Sequence, residues 1–227
     1  MANLKQQAGI AAANLVQNGM KIGLGTGSTV FFALERLAER RKTENLKFSG
    51  VSTSFSTTLL CRKMGIELID CGSVSHLDLA IDGADEIDPK LNLIKGRGAA
   101  HLLEKIVASL ADKFIIVADS AKKVQHLGEK FPVPLEILPA ALGLAQTRVK
   151  KLGGTLEVRM AGTCKDGPTI SDSGNIIADA NFGLIKEPAT LGKELDSIPG
   201  LAGHGLFIDL AKEAFIAGEA GVEHISL

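Results

Sequence analysis

The sequence contains no tryptophan and no tyrosine, and aromatic residues make up only 4% of it. A surface for stacking nucleic-acid bases is therefore not expected. Cysteine is scarce: Cys61, Cys71 and Cys164 form no CxxC pair, and their number is odd. They read as reduced, mostly buried thiols in a cytoplasmic protein. The 5 histidines are scattered, without HExxH or comparable metal spacing. No apolar run approaches the ~20 residues of a membrane span. The opening MANLKQQAGIAAANLV has the spacing of an amphipathic helix, not the continuous apolar core of a signal peptide. Neither sign of charge is in excess: 25 Lys and Arg face 26 Asp and Glu, for a net charge of −1. That balance argues against a nucleic-acid partner or an anionic membrane surface. The most basic run, Glu39-Arg40-Arg41-Lys42, closes a helix pattern, where it favours the negative end of the helix dipole.

What remains is a chain of 227 residues, 45% hydrophobic and holding 25 glycines. This is enough for one large domain, or a domain with a sizeable insert, built with many tight turns. It is organised around the run from Asp78 to Glu104. A short apolar strand, Leu77 to Ile81, meets a turn at Gly83 that gathers Asp82, Asp85, Glu86 and Asp88. A second turn at Asp88-Pro89 leads to Leu91, Leu93 and Ile94, and then to Lys95 in the loop Gly96-Arg97-Gly98. A helix follows, with apolar positions at Leu102, Leu103, Ile106, Val107 and Leu110. At ~100° per residue its apolar face centres near Ile106 and Leu110, which places Glu104 about 130° away, flanking the core and not buried in it. Each charged residue alone fits a solvated turn. Together, carboxylates at a strand end, a cation on a glycine loop and a glutamate on the next helix look like a site.

Along the chain, residues 3–18 read as a helix carrying Lys5, Met20 to Leu24 as a strand, and GLGTGST (23–29) as the turn into a helix from Val30 to Arg41. Strand, glycine-rich turn and helix aim backbone N–H groups at an anion, and Ser28 and Thr29 add hydroxyl donors. The plainer reading is a tight turn whose Ser or Thr caps the helix, and the two are compatible. A dinucleotide fingerprint fails, because Ser28 stands where the third glycine should be and the strand Leu46 to Val51 ends in Ser52-Thr53-Ser54 instead of an acidic residue. A Walker loop fails for want of Gly-Lys-Ser/Thr. Further strands are expected at 66–69 and 114–118, with a helix ending at Met64. Alternating strands and helices imply an α/β fold: a Rossmann-like, mostly parallel sheet with helices on both faces. The turns after Leu24, Val51, Ile81 and Ala118 then meet at the carboxyl ends of its strands. The character changes at Phe131-Pro132-Val133-Pro134. Residues 131–199 read as a small α+β insert with strands 135–138, 155–160 and 176–179 and helices 139–152 and 188–195. Residues 1–130 and 200–227 form the main domain, and the tail returns short strands to its sheet.

GLGTGST, AIDGADEID, IKGRGAAHLLEKIV, KFIIVADSAKKV and the VPLEILP segment together resemble the ribose-5-phosphate isomerase type A family over almost the whole chain. The resemblance implies an aldose–ketose isomerase that interconverts D-ribose 5-phosphate and D-ribulose 5-phosphate, in the non-oxidative branch of the pentose phosphate pathway. It implies no metal, no organic cofactor and a homodimer or homotetramer. Position by position, Thr26, Gly27, Ser28 and Thr29 match the family's phosphate and substrate loop. Asp82, Gly83, Ala84 and Asp85 match its acidic loop, and Lys95, Gly96, Arg97 and Gly98 its third binding loop. Glu104 matches the catalytic base, Lys122 a further substrate contact and Lys5 a phosphate ligand. The chain departs from the family at Leu103, where arginine is common, at Ala99-Ala100, where glycine is common, and in LAGHGLFIDLAKEAF.

The chemistry accounts for these residue types. Moving a carbonyl from carbon 1 to carbon 2 needs one carbon-bound proton taken and returned, so a single carboxylate, Glu104, suffices. Lys95 and the N–H groups of its loop stabilise the enediolate oxygen, Asp82 assists ring opening, Asp85 holds hydroxyls, and the phosphate at Ser28-Thr29 supplies remote binding energy. Three rivals stand beside this reading. One is a non-catalytic sugar-phosphate sensor, which leaves the base and the cation without a use. Another is an amino-sugar phosphate deaminase-isomerase, for which His101, expected across the helix, is the only local acid, or an acyl-CoA transferase, which would use a covalent glutamate. The third is a structural α/β protein, which leaves the clustered Gly, Asp and Lys unexplained.

Overall fold

The computed structural model describes residues 4–227, apart from the side chain of Cys164. The readings of residue 3 as helix and of Cys164 as a buried thiol therefore lie outside the described residues. Along the chain come α1 (Leu4–Ala13), β1 (Lys21–Leu24), α2 (Ser28–Thr43), β2 (Ser49–Ser52), α3 (Phe55–Met64) and β3 (Leu79–Asp82). Two short strands follow, β4 (Glu86–Ile87) and β5 (Leu93–Ile94), then α4 (His101–Leu110), β6 (Phe114–Asp119), β7 (Val133–Ile137), α5 (Leu142–Lys151) and β8 (Thr155–Val158). The chain closes with β9 (Ile176–Asn181), α6 (Pro188–Asp196), β10 (Leu201–His204), β11 (Leu206–Phe207), β12 (Ala211–Gly218) and β13 (Gly221–Ser226). It divides into two compact units: one takes in the chain up to Ala84, Leu103–Lys122 and Asp209–Leu227, the other Asp85–Leu102 and Lys123–Ile208.

The first unit is a six-stranded sheet in the order β13-β12-β6-β3-β1-β2. All neighbours run parallel except the closing hairpin β12–β13. Alternation along β1 shows why helices cover both faces. Ile22 and Leu24 join Ala8, Ala12, Val30 and Leu34 of α1 and α2 in one buried cluster. Gly23 faces the other way, where a Cβ would stand 2.4 Å from Val107 of α4. The missing side chain lets α4 approach the sheet. The chain runs from β1 outward to β2 and then crosses back to place β3 on the other side of β1. In register, Leu24 is level with Ser52 and Ile81, so the turns leaving β1, β2 and β3 open on one edge of the sheet. The reversal between β1 and β3 is the position at which open α/β sheets bind ligands.

The second unit holds a four-stranded antiparallel sheet, β10-β7-β9-β8, and a small sheet, β11-β5-β4. It extends beyond the 131–199 span at both ends. Residues 85–102 belong to it because β5 pairs with β11, and residues 123–130 because the Val124 N–H bonds to the Ile87 carbonyl at 3.0 Å. The tail departs from expectation likewise: only β12 and β13 join the main sheet, whereas β10 and β11 stay in this unit. The expected strand at 66–69 shrinks to one bridge, Leu68 against Gly50. Among the described residues no helix is long and apolar enough to cross a membrane.

Cys61 is fully buried in the first unit, and burial pushes its thiol up to about 11. At pH 8 only about one molecule in a thousand then carries the reactive thiolate. In the folded protein Cys61 will resist disulfide-exchange reagents at that pH and will react only as urea unfolds the chain, a course followed by peptide mapping of the labelled protein.

Candidate functional site

Asp82 ends β3 instead of opening a turn, and it is 2% exposed. Its Oδ1 accepts from the Thr26 N–H at 3.1 Å and the Gly83 N–H at 2.7 Å. Gly25 lies against it so closely that a Cβ there would stand 2.2 Å from its carboxyl carbon. The two glycines of GLG thus serve close packing, Gly23 for α4 and Gly25 for Asp82. Gly27, at φ +115°, occupies the cap position of α2, so no side chain caps that helix. The reading in which Ser28 or Thr29 caps the helix is thereby replaced: both lie inside its first turn, whose N–H groups stay open to an anion. Lys5 donates to Ser28 Oγ at 2.9 Å.

The second hydroxyl-rich turn works behind the first. Thr26 Oγ1 lies 3.0 Å from Thr53 Oγ1, 2.7 Å from Ser54 Oγ and 3.1 Å from Thr57 Oγ1. Thr57 Oγ1 donates to the Gly25 carbonyl at 2.8 Å, and Ser54 caps α3 by accepting from the Thr57 N–H. This support for the 25–26 turn was not expected of Thr53, Ser54 and Thr57 individually; its only signal was the run of hydroxyls after β2.

The helix α4 turns an unexpected face inward. His101, Glu104, Val107 and Ala108 are buried, with Glu104 5% exposed, whereas Ile106 is 44% exposed. The expectation that Glu104 flanks the core is corrected, as is the placing of His101 across the helix. Residues three and four apart share a face, and the inward face is chosen by Val107 packing on Gly23, not by the centre of apolar character. Glu104 sits in the first turn, where the positive end of the helix dipole favours a carboxylate. Lys122 closes the 3₁₀ turn that follows β6.

In the second unit the acidic run separates by task. Asp85 Oδ2 accepts from the Arg97 N–H at 3.0 Å. Glu86, fully buried, accepts from the backbone N–H groups of Gly128 and Phe131 at 2.6 and 2.8 Å and from that of Lys130. Asp88 holds its own turn, accepting from the Lys90 and Asn92 N–H groups at 2.8 Å each. Glu86 and Asp88 are therefore turn clamps. Lys95 is 3% exposed; its N–H bonds to the Gly205 carbonyl at 2.9 Å, and its ammonium lies 5.4 Å from the centre of the Phe207 ring. Gly96 has φ +110°, and a Cβ there would stand 2.8 Å from His101 Nδ1. Arg97 is exposed, its guanidinium 6.0 Å from the Phe131 ring centre. Arg159, which no motif contains, donates to the carbonyls of both Gly96 and Arg97.

Ala84 and Gly83 belong with Asp82, Thr26–Thr29, Glu104, Lys122 and Lys5 in the first unit; Asp85 and Lys95–Gly98 belong to the second. The chain passes from one to the other at Ala84-Asp85, Leu102-Leu103, Lys122-Lys123 and Ile208-Asp209.

The family model described as ribose 5-phosphate isomerase A (phosphoriboisomerase A) matches residues 49–221. A ribose-5-phosphate isomerase A of Thermosynechococcus vestitus is 50% identical over 217 residues, covering 95% of this chain and 91% of that protein. The solved structure of ribose 5-phosphate isomerase A from Methanocaldococcus jannaschii superposes with a TM-score of 0.94 at 37% identity, covering 99% of this chain and 98% of that one. A D-ribose-5-phosphate isomerase structure in complex with phospho-erythronic acid superposes with a TM-score of 0.95 at 39% identity, again covering 99% and 98% of the two chains.

Because a side chain at Gly25 must displace Asp82, Gly25→Ala will cost about 1–3 kcal/mol of stability. Urea unfolding of the variant beside the wild type measures this directly.

Proposed function

The chain belongs to the ribose 5-phosphate isomerase A family, and on that premise we propose that it interconverts D-ribose 5-phosphate and D-ribulose 5-phosphate through an enediolate. The observation that carries this reading is the pair of buried carboxylates in the first unit, Asp82 at 2% and Glu104 at 5% exposure. A buried carboxylate is costly unless it has work or partners, and a proton moved between adjacent carbons needs one such base.

The phosphate binds at the first turn of α2, on the N–H and hydroxyl groups of Gly27, Ser28 and Thr29, with Lys5 beside it. Asp82 assists opening of the furanose by proton transfer at the ring oxygen; Thr26, Gly83 and Ala84 shape the wall around it. Glu104 removes the proton from carbon 2, the electron pair forms the carbon 1–carbon 2 double bond, and negative charge collects on the carbonyl oxygen. Lys95 and the N–H groups of Gly96 and Gly98 hold that oxygen, an interaction typically worth ~3–4 kcal/mol per preorganised donor. Asp85 and Lys122 orient the chain of hydroxyls. The proton of the carbon 2 hydroxyl then passes to the oxygen on carbon 1, and Glu104 returns its proton to carbon 1 as the carbonyl forms at carbon 2. No bound cofactor enters this scheme. We further take the protein to be a cytoplasmic homodimer or homotetramer. Exposed Met160 and Leu184 on the second unit, at 62% and 56%, support association, and sedimentation equilibrium reports the state.

Isomerisation of ribose 5-phosphate, measured with EDTA present, tests the mechanism. Glu104→Gln will fold normally, bind the sugar phosphate and turn over at least ~10²-fold more slowly. Near wild-type turnover in that variant would remove Glu104 from the chemistry. Sugar-phosphate binding without isomerisation by the unaltered protein would favour a sensor.

A further inference from the structure

The loop after Lys95 is gripped from its carbonyl side by Arg159, the residue that follows β8. Arg159 Nη1 donates to the carbonyls of Gly96 and Arg97, each at 3.0 Å. Its Nε donates to Asp179 Oδ2 at 2.9 Å, and its Nη2 donates to the other carboxylate oxygen. A fork-to-fork pair of this kind fixes the plane of the guanidinium as well as its place. Asp179 is itself held in β9, which is bonded on both edges, to β7 and to β8. The clamp is thus built on sheet and reaches out to a loop.

Its consequence lies in the peptide planes. The C=O and N–H of a trans peptide point in opposite directions. Two successive carbonyls drawn to one nitrogen turn the N–H groups of Arg97 and Gly98 away from Arg159. The Arg97 N–H shows the direction, since it meets Asp85 Oδ2 at 3.0 Å. Gly98 is exposed, and its N–H makes no hydrogen bond among the described residues. Successive N–H groups turned to one side form a concavity that receives an anionic oxygen. Asp85 fills one position of it and leaves the other open.

We propose that Arg159 is a positioning residue for the isomerisation: by holding the Gly96 and Arg97 carbonyls it presents the Gly98 N–H to the developing oxyanion. This rests on the reading of Lys95–Gly98 as the oxyanion loop. Arginine is required, because one ammonium cannot meet a carboxylate in bidentate fashion and two carbonyls at once. Arg159 also borders an open cavity of about 310 Å³, which Phe131, Pro132 and Pro134 line in part. A small cation can therefore reach the place a truncated side chain leaves.

The test compares Arg159→Ala, Arg159→Lys and Lys95→Met, each first checked for native circular dichroism. For Arg159→Ala, kcat and kcat/KM will fall together by about 10- to 10²-fold with KM unchanged, the signature of an interaction made in the transition state. Added guanidinium will restore part of the loss, and ammonium will not. Arg159→Lys will also fall, and it carries the test if the alanine variant does not fold. Wild-type kcat in the folded Arg159 variants, with Lys95→Met impaired, would overturn the role of Arg159 and leave the loop reading standing. Wild-type kcat in all three would overturn both.

Discussion

The Asp82 carboxylate is the point on which the first unit turns. A negative charge buried at the end of a central parallel strand is costly in isolation. Here it accepts from the Thr26 and Gly83 N–H groups at the position where the strand order reverses. To do so it requires Gly25 to lack a side chain, and it thereby sets the path by which the chain leaves β1 and enters α2. The Thr53, Ser54 and Thr57 hydroxyls hold the same turn from behind. One carboxylate thus joins the ends of β1 and β3, and the open first turn of α2 follows from that junction.

The second unit repeats the device with other charges. Glu86 gathers three N–H groups of residues 128–131, Asp88 ties its own turn, and Asp85 holds the Arg97 N–H. Hydrogen bonds from backbone N–H groups to ionised acceptors are stronger than those between neutral groups. The charged residues therefore do structural work, and an acidic cluster that looks uniform along the chain is mixed in space.

Much of the candidate site was legible because its segments are local. GLGTGST, the acidic turn and the Lys95 loop each lie within a few residues, and glycine spacing there reports turns and close approaches directly. The parallel sheet followed from the alternation of apolar runs and helices. Where the reading failed, the deciding contact was distant. The inward face of α4 is selected by Gly23, more than 80 positions earlier, and that contact overrides the apolar centre of the helix, leaving Ile106 exposed. The second unit exceeds the 131–199 span because β5 and β11, of two residues each, carry no periodicity to recognise.

The mostly parallel α/β sheet, the family and the candidate site residues can be read along the chain, because they are written in local patterns of apolar spacing, glycine and charge. Which carboxylates are buried, which of them clamp turns, and the grip of Arg159 on the Gly96 and Arg97 carbonyls, 63 and 62 positions away along the chain, emerge in three dimensions alone. Those outcomes depend on which distant groups fold into hydrogen-bonding reach, and no local pattern carries that information.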